Sequence, residues 1–114
     1  MAPPQDGLTI VEFATVDELR AWLADAGTSH PGVWVRLARA HSTRPSVSFH
    51  ELLVEGIAYG WSESTRRALD RDSYLQRFSP RRTPGTRSAR NLRIAAELER
   101  EGRLTDAGRR ALGV

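Results

Sequence analysis

The chain has 114 residues, 39% hydrophobic and 27% charged, which is enough for one core and too balanced a composition for global disorder. All 17 basic residues are arginine against 14 acidic ones, so the formal net charge is only +3, and the isoelectric point near 10.5 reflects arginine's resistance to titration. The absence of cysteine excludes disulfides, thiolate metal sites and a cysteine nucleophile, and permits a reducing compartment.

In chain order, residues 1–7 read as a flexible polar tail, and a single domain is expected over residues 8–114. The start Met1–Asp6 lacks the basic lead and apolar centre of a signal peptide, and no apolar run approaches the roughly 20 residues of a membrane span. A cytoplasmic protein without membrane insertion is therefore expected. Leu8–Phe13 is rich in β-branched residues and predicts a short strand. Thr15-Val16-Asp17-Glu18 predicts a capping box in which Thr15 accepts from the Glu18 amide and Glu18 reaches back to the Thr15 amide. The helix over 15–26 places Leu19, Trp22, Leu23 and Ala26 on one face and stops at Gly27.

Val33–Arg39 alternates at period two, which turns Val33, Val35 and Leu37 to the core and Trp34, Arg36 and Ala38 away from it. Ser48 and Glu51 repeat the capping-box pattern and open a helix over 49–59, ended by Gly60. Gly56 inside that helix costs about 1 kcal/mol relative to Ala, a sign of close packing against a sheet. Trp61–Leu69 and Tyr74–Ser79 form two strands around the Asp70–Ser73 turn, and Pro80 ends the second because it has no N–H for the ladder. A corner containing Pro84 and Gly85 follows over 81–87, then a Ser88-capped helix over 89–101 and a Thr105-capped helix over 106–112. The pattern predicts an α+β fold: a single small domain with a mainly antiparallel sheet of three or four short strands and about four helices.

Charge is polarised along the chain. The first thirty residues hold Arg20 against five acids, whereas the Arg-rich segment 61–93 carries Arg66, Arg67, Arg71, Arg77, Arg81, Arg82, Arg87, Arg90 and Arg93 against Glu63, Asp70 and Asp72. The Arg81-Arg82 corner leads to Ser88 at a helix start, where unpaired amides, the helix dipole and planar guanidinium groups all favour an anion. The candidate ligand site is Trp61, Glu63, Arg81, Arg82, Ser88 and Asn91: the arginines supply charge, Ser88 and Asn91 hydrogen bonds, and Trp61 an apolar wall. The alternative for the same arginines is a solvated face paired with the acidic N-terminal part. Glu63 is the candidate acid or base of an enzyme if Trp61 desolvates it; the competing expectation is a structural pair with Arg66 or Arg81. His30, His41 and His50 lack metal-ligand spacing, and no metal or cofactor is expected. A third function class is a nucleic-acid-binding domain using the 61–93 arginines, with Tyr74 and Phe78 stacking bases.

Trp22, Trp34, Gly60-Trp61, Phe78-Ser79-Pro80-Arg81, Ser88 with Asn91, and the tail Glu101-Gly102-Arg103-Leu104-Thr105-Asp106-Ala107-Gly108 together resemble the bacterial YdeI/OmpD-associated family, also called bacteriocin-protection proteins, over roughly Phe13 to Leu112. The family's usual Gly-Trp-Ile-Asp stands here as Gly60-Trp61-Ser62-Glu63, and its Trp-Ser before the last long helix as Arg87-Ser88. The resemblance implies a stress, bacteriocin or antibiotic protection role; the residues of the Trp/Arg corner point to a binding protein whose expected ligand is an anionic small molecule or polymer, or else a protein partner.

Overall fold

A computed structural model of the chain describes residues 6–82 and 88–114; the expected Pro84–Gly85 corner and Arg87 lie outside the described residues. The element order is β1 (Ile10–Val11), α1 (Val16–Ala26), β2 (Val33–Ala38), α2 (Phe49–Tyr59), β3 (Trp61–Ala68), β4 (Ser73–Pro80), α3 (Ala89–Arg100) and α4 (Asp106–Leu112). The fold is α+β, with four helices and a four-stranded sheet of order β1-β2-β4-β3. β1 pairs parallel with β2, and the β2–β4 and β3–β4 pairings are antiparallel, so the sheet is mixed but mainly antiparallel as the strand patterns predict. The first strand is shorter than the expected Leu8–Phe13 and pairs only through Ile10 and Val11.

Local signals set the helix starts. Ser48 and Glu51 form both halves of a capping box at α2. At α1, Thr15 accepts from the Glu18 amide at 3.2 Å, but the Glu18 carboxylate takes the Ala14 amide at 2.7 Å instead of the expected Thr15 amide. Ser88 and Thr105 cap α3 and α4 through the Asn91 and Gly108 amides.

The period-two pattern of β2 places Val33, Val35 and Leu37 in the core, opposite Phe78, Gln76 and Tyr74 of β4. The same core takes Leu19 and Leu23 from α1 and Leu52 from α2, while a second cluster joins Leu53, Ile57 and Ala58 to Ile94, Ala95 and Leu98 of α3 and Leu112 of α4. A register shift between Glu63 and Arg66 inserts an extra residue in β3, and the buried Gln76 amide donates to the Ser64 and Thr65 carbonyls at 3.1 and 3.2 Å. The bulge therefore keeps its buried hydrogen bonds satisfied.

Trp34 faces away from the helices as its parity requires, and it is only 3% exposed. Its indole N–H donates to Asp6 at 2.9 Å, Arg77 donates to the same oxygen at 3.1 Å, and the Arg77 guanidinium lies 5.7 Å from the Trp34 ring. Asp6, expected in a free tail, thus anchors the outer face of the sheet, and these bonds hold its carboxyl below the usual carboxylate value, first through the Leu8 amide and then through Trp34.

Gly56 sits where the expected close packing occurs: a Cβ there would lie 2.9 Å from the Phe78 ring and 3.2 Å from the Trp61 carbonyl. Gly56→Ala is expected to destabilise the fold by about 1–3 kcal/mol through overpacking, despite a helix-propensity gain of about 1 kcal/mol. Denaturant unfolding checks this, and a stabilised variant would contradict the packing account.

Asp70 generates a pH prediction. Its carboxylate accepts from the Ser73 hydroxyl and amide, both at 2.8 Å, from the Asp72 amide at 3.0 Å, and from Arg36 at 2.8 Å. Led by the Ser73 hydroxyl, these donors hold its pKa below the usual carboxylate value. A depressed folded pKa contributes stability that is present above the unfolded value and lost as pH falls through the folded one. The melting temperature should therefore drop between about pH 7 and about pH 3, and Asp70→Asn should show a smaller drop. An equal drop in the two proteins would remove Asp70 from the acid sensitivity.

Candidate functional site

The candidate site is built on the C-terminal end of α2. Gly60 adopts a left-handed φ of 82°, and a Cβ on it would lie 2.8 Å from the Ala107 carbonyl. The Thr105 hydroxyl donates to the Ala58 carbonyl at 2.6 Å and accepts from the Gly108 amide at 3.1 Å, so α4 is docked by its own N-cap onto the last turn of α2. The Arg81 amide donates to the Gly60 carbonyl at 2.8 Å, which brings the end of β4 to the same place.

These contacts gather Arg81 and Arg82 from the end of β4, Arg110 from α4 and Thr28 from the loop after α1 around a cleft of about 190 Å³ with Gly60 in its lining. None of the three arginines has a carboxylate within ion-pair distance among the described residues. Among the described residues, Arg82 donates to the His30 carbonyl at 3.4 Å.

The other sequence-derived candidates are divided between two places. Trp61 is 1% exposed and packs against Trp22, His30 and Phe78 with ring centroids 5.0–5.6 Å apart, so it does not line the cleft. Its indole N–H is buried without an acceptor among the described residues. His30, expected as a scattered loop histidine, belongs to this aromatic group and accepts the Gly32 amide at 3.0 Å.

Glu63, Ser88 and Asn91 lie around the start of α3. Glu63 is paired with Arg90 at 3.6 Å, not with Arg66 or Arg81, because the bulge in β3 carries Arg66 over the Phe49 and Tyr74 rings. Asn91 is buried and accepts from Arg90, and the Ser88 hydroxyl accepts the Asn91 amide. For the stacking residues of the nucleic-acid alternative, Phe78 is fully buried and Tyr74 has the Arg66 guanidinium 4.5 Å from its ring centroid. Neither presents an open pair of faces to a base.

Two groups escaped the sequence reading. Arg110 did because it lies on α4, outside the Arg-rich 61–93 segment. Glu55 is 3% exposed, and both its oxygens are held: Arg20 of α1 donates at 3.0 and 3.3 Å, and Arg103 of the α3–α4 connection donates to Oε2. The hydrogen bond to Glu55 holds the Arg20 pKa above its ordinary value. This trio and Tyr59 line a second cleft of about 350 Å³. The available signal was an acid inside the apolar run Leu52-Leu53-Val54-Glu55-Gly56-Ile57-Ala58. A charge at that position needs partners from other elements.

Among the described residues, no cluster of three or more histidine or acidic side chains is placed to hold a metal ion, and no helix is long and apolar enough to cross a membrane. The family model described as a domain of unknown function (DUF8412) matches residues 11–111. No curated protein and no solved structure matches the chain.

Glu55→Gln should destabilise the fold by roughly 2–3 kcal/mol, below the 3–5 kcal/mol of a fully buried pair because both arginines retain solvent access. Equilibrium unfolding checks this; a change within about 0.5 kcal/mol, the range of ordinary surface substitutions, would show that the trio adds no stability.

Proposed function

The chain belongs to the DUF8412 family, a domain of unknown function, and from that premise we propose that it is a non-enzymatic binding protein that takes an anionic ligand in the Arg81–Arg82–Arg110 cleft. The observation that carries this reading is the convergence of three arginines, without carboxylate partners among the described residues, on one concave surface. Three cations held close together repel one another, and an anion relieves that repulsion while accepting from several guanidinium N–H groups. Phosphate-type groups suit the cleft because a planar guanidinium can grip them through two parallel hydrogen bonds.

This reading keeps Arg81 and Arg82 of the expected site, adds Arg110 and Thr28, and leaves Trp61 in the core. Glu63, Ser88 and Asn91 serve the start of α3. The enzyme alternative loses support from geometry: Glu63 is engaged by Arg90 at 3.6 Å and does not line the arginine cleft. The nucleic-acid alternative has the arginines but lacks open stacking faces at Tyr74 and Phe78. A stress, bacteriocin or antibiotic protection role rests on the resemblance to the YdeI/OmpD-associated family.

A ligand that binds only the folded state raises the melting temperature by mass action, by about 2.7 kcal/mol of stability at a hundredfold excess over Kd. Inorganic phosphate and phosphate esters at low ionic strength should therefore stabilise the protein. Arg110→Ala should weaken binding roughly 10-fold or more, the scale of a lost hydrogen bond to a charged group, whereas Arg93→Ala on the exposed part of α3 should not. Binding that survives both Arg81→Ala and Arg110→Ala would place the anion elsewhere.

A further inference from the structure

All 14 acidic residues of the chain lie among the described residues, and none stands within ion-pair distance of Arg81, Arg82 or Arg110. On α4, Asp106 stands one turn before Arg110, outside the residues that line the cleft. The other negative influence is the C-terminal end of α2, equivalent to about half an elementary charge. Two of its carbonyls are engaged: Gly60 accepts from the Arg81 amide at 2.8 Å, and Ala58 accepts from the Thr105 amide at 3.0 Å and hydroxyl at 2.6 Å. With Asp106 and that half charge counted in full, roughly one and a half positive charges remain at the cleft, and more where solvent screens the exposed Asp106. A ligand with one negative charge leaves part of this excess unmet, so a second charge on the ligand is attracted as well.

The donor count points the same way. Arg81 and Arg82 from the end of β4 and Arg110 from α4 line one cleft of about 190 Å³. A terminal phosphate presents three strong acceptor oxygens to such a set, one more than a phosphodiester leaves free. The remaining lining, Thr28, Gly60, Ala107 and Ala111, is small and holds no aromatic ring. A nucleobase or a peptide attached to the phosphate therefore finds no stacking platform and no deep apolar wall there.

Building on the proposed anion cleft, we infer that its ligand is a small phosphomonoester, bound as the dianion through its terminal phosphate, and that the cleft discriminates against phosphodiesters, nucleic-acid strands among them. The phosphate head carries the recognition, and the rest of the ligand extends away from the three arginines.

The test is an amide NMR titration of the isotope-labelled chain at low salt with methyl phosphate, dimethyl phosphate and inorganic sulfate, on the wild type and on Arg110→Met, whose dispersed spectrum reports its fold. At about pH 7.5 methyl phosphate, then a dianion, should bind about 10-fold or more tightly than the monoanionic dimethyl phosphate, the scale of one further hydrogen bond to a charged group. A phosphate monoester has its second pKa near 6, so at about pH 5 only about a tenth of it is doubly charged; its affinity should fall roughly 10-fold while that of dimethyl phosphate holds. Protonation of His30, whose carbonyl accepts from Arg82, would strengthen anion binding at low pH, the opposite sign, and sulfate, doubly charged throughout, reports that contribution. Arg110→Met should weaken methyl phosphate and narrow its lead over dimethyl phosphate. AMP and a phosphothreonine peptide should bind within about 3-fold of ribose 5-phosphate, because neither gains a platform in the cleft. Equal affinities of the two methyl esters at the higher pH overturn the inference while the arginine cleft stands. So does a lead that persists at the lower pH, that Arg110→Met leaves intact, or whose pH dependence sulfate shares. A preference of about 10-fold or more for AMP or the peptide overturns the assignment to the phosphate head. Binding of neither methyl phosphate nor sulfate to the wild type overturns the anion-cleft reading itself.

Discussion

How closely α2 approaches its neighbours governs the rest of this structure. On the sheet side, Gly56 lets the helix backbone press against Phe78 and the Trp61 carbonyl. On the other side, α4 lies so near that Gly108 leaves no room for a Cβ beside the Ile57 and Ala58 carbonyls. A helix held at backbone distance on two sides has little freedom to shift, because packed interiors do not deform continuously. α2 therefore fixes where β3 begins, where α4 starts and where Arg81 leaves β4, and the arginine cleft follows from those three positions.

Electrostatics divide the molecule into two regimes. Glu12 with Arg44, Asp70 with Arg36, Asp6 with Arg77 and Glu99 with Arg109 are close pairs at partly exposed positions, and they join segments distant in sequence, such as Asp6 and Arg77. Exposed pairs of this kind add little stability each. The two clefts beside α2 are different: in one a buried acid is bound by two arginines, and in the other three arginines lack acidic partners among the described residues. Charge left without an acidic partner in a concave surface repels itself, whereas charge paired across segments fastens the chain to itself.

The aromatic group next to Gly60 in the chain joins these two themes. Trp61 follows directly after Gly60 and fills the space between Trp22, His30 and Phe78, so the strand that leaves the cleft is anchored in the core within one residue. The loop that brings Thr28 to the cleft carries His30 into the same group. Two of the segments that line the cleft, at Thr28 and Gly60, are thus anchored by ring contacts one or two residues away.

The sequence by itself determined the local structure. Capping residues at Thr15, Ser48, Ser88 and Thr105 and the period-two pattern of Val33–Ala38 define helices and a strand through interactions within a few residues, so they could be read without the fold. The concentration of arginine around residues 81–82 was equally legible. Tertiary structure alone decided which distant residues share a surface. The parallel β1–β2 pairing, the burial of Trp34 under Asp6 and Arg77, the bulge that sends Glu63 to Arg90, and the meeting of Arg20, Glu55 and Arg103 all join residues far apart in the chain or shift a register. No periodicity or short motif encodes such contacts, because they arise from the packing of whole elements around α2.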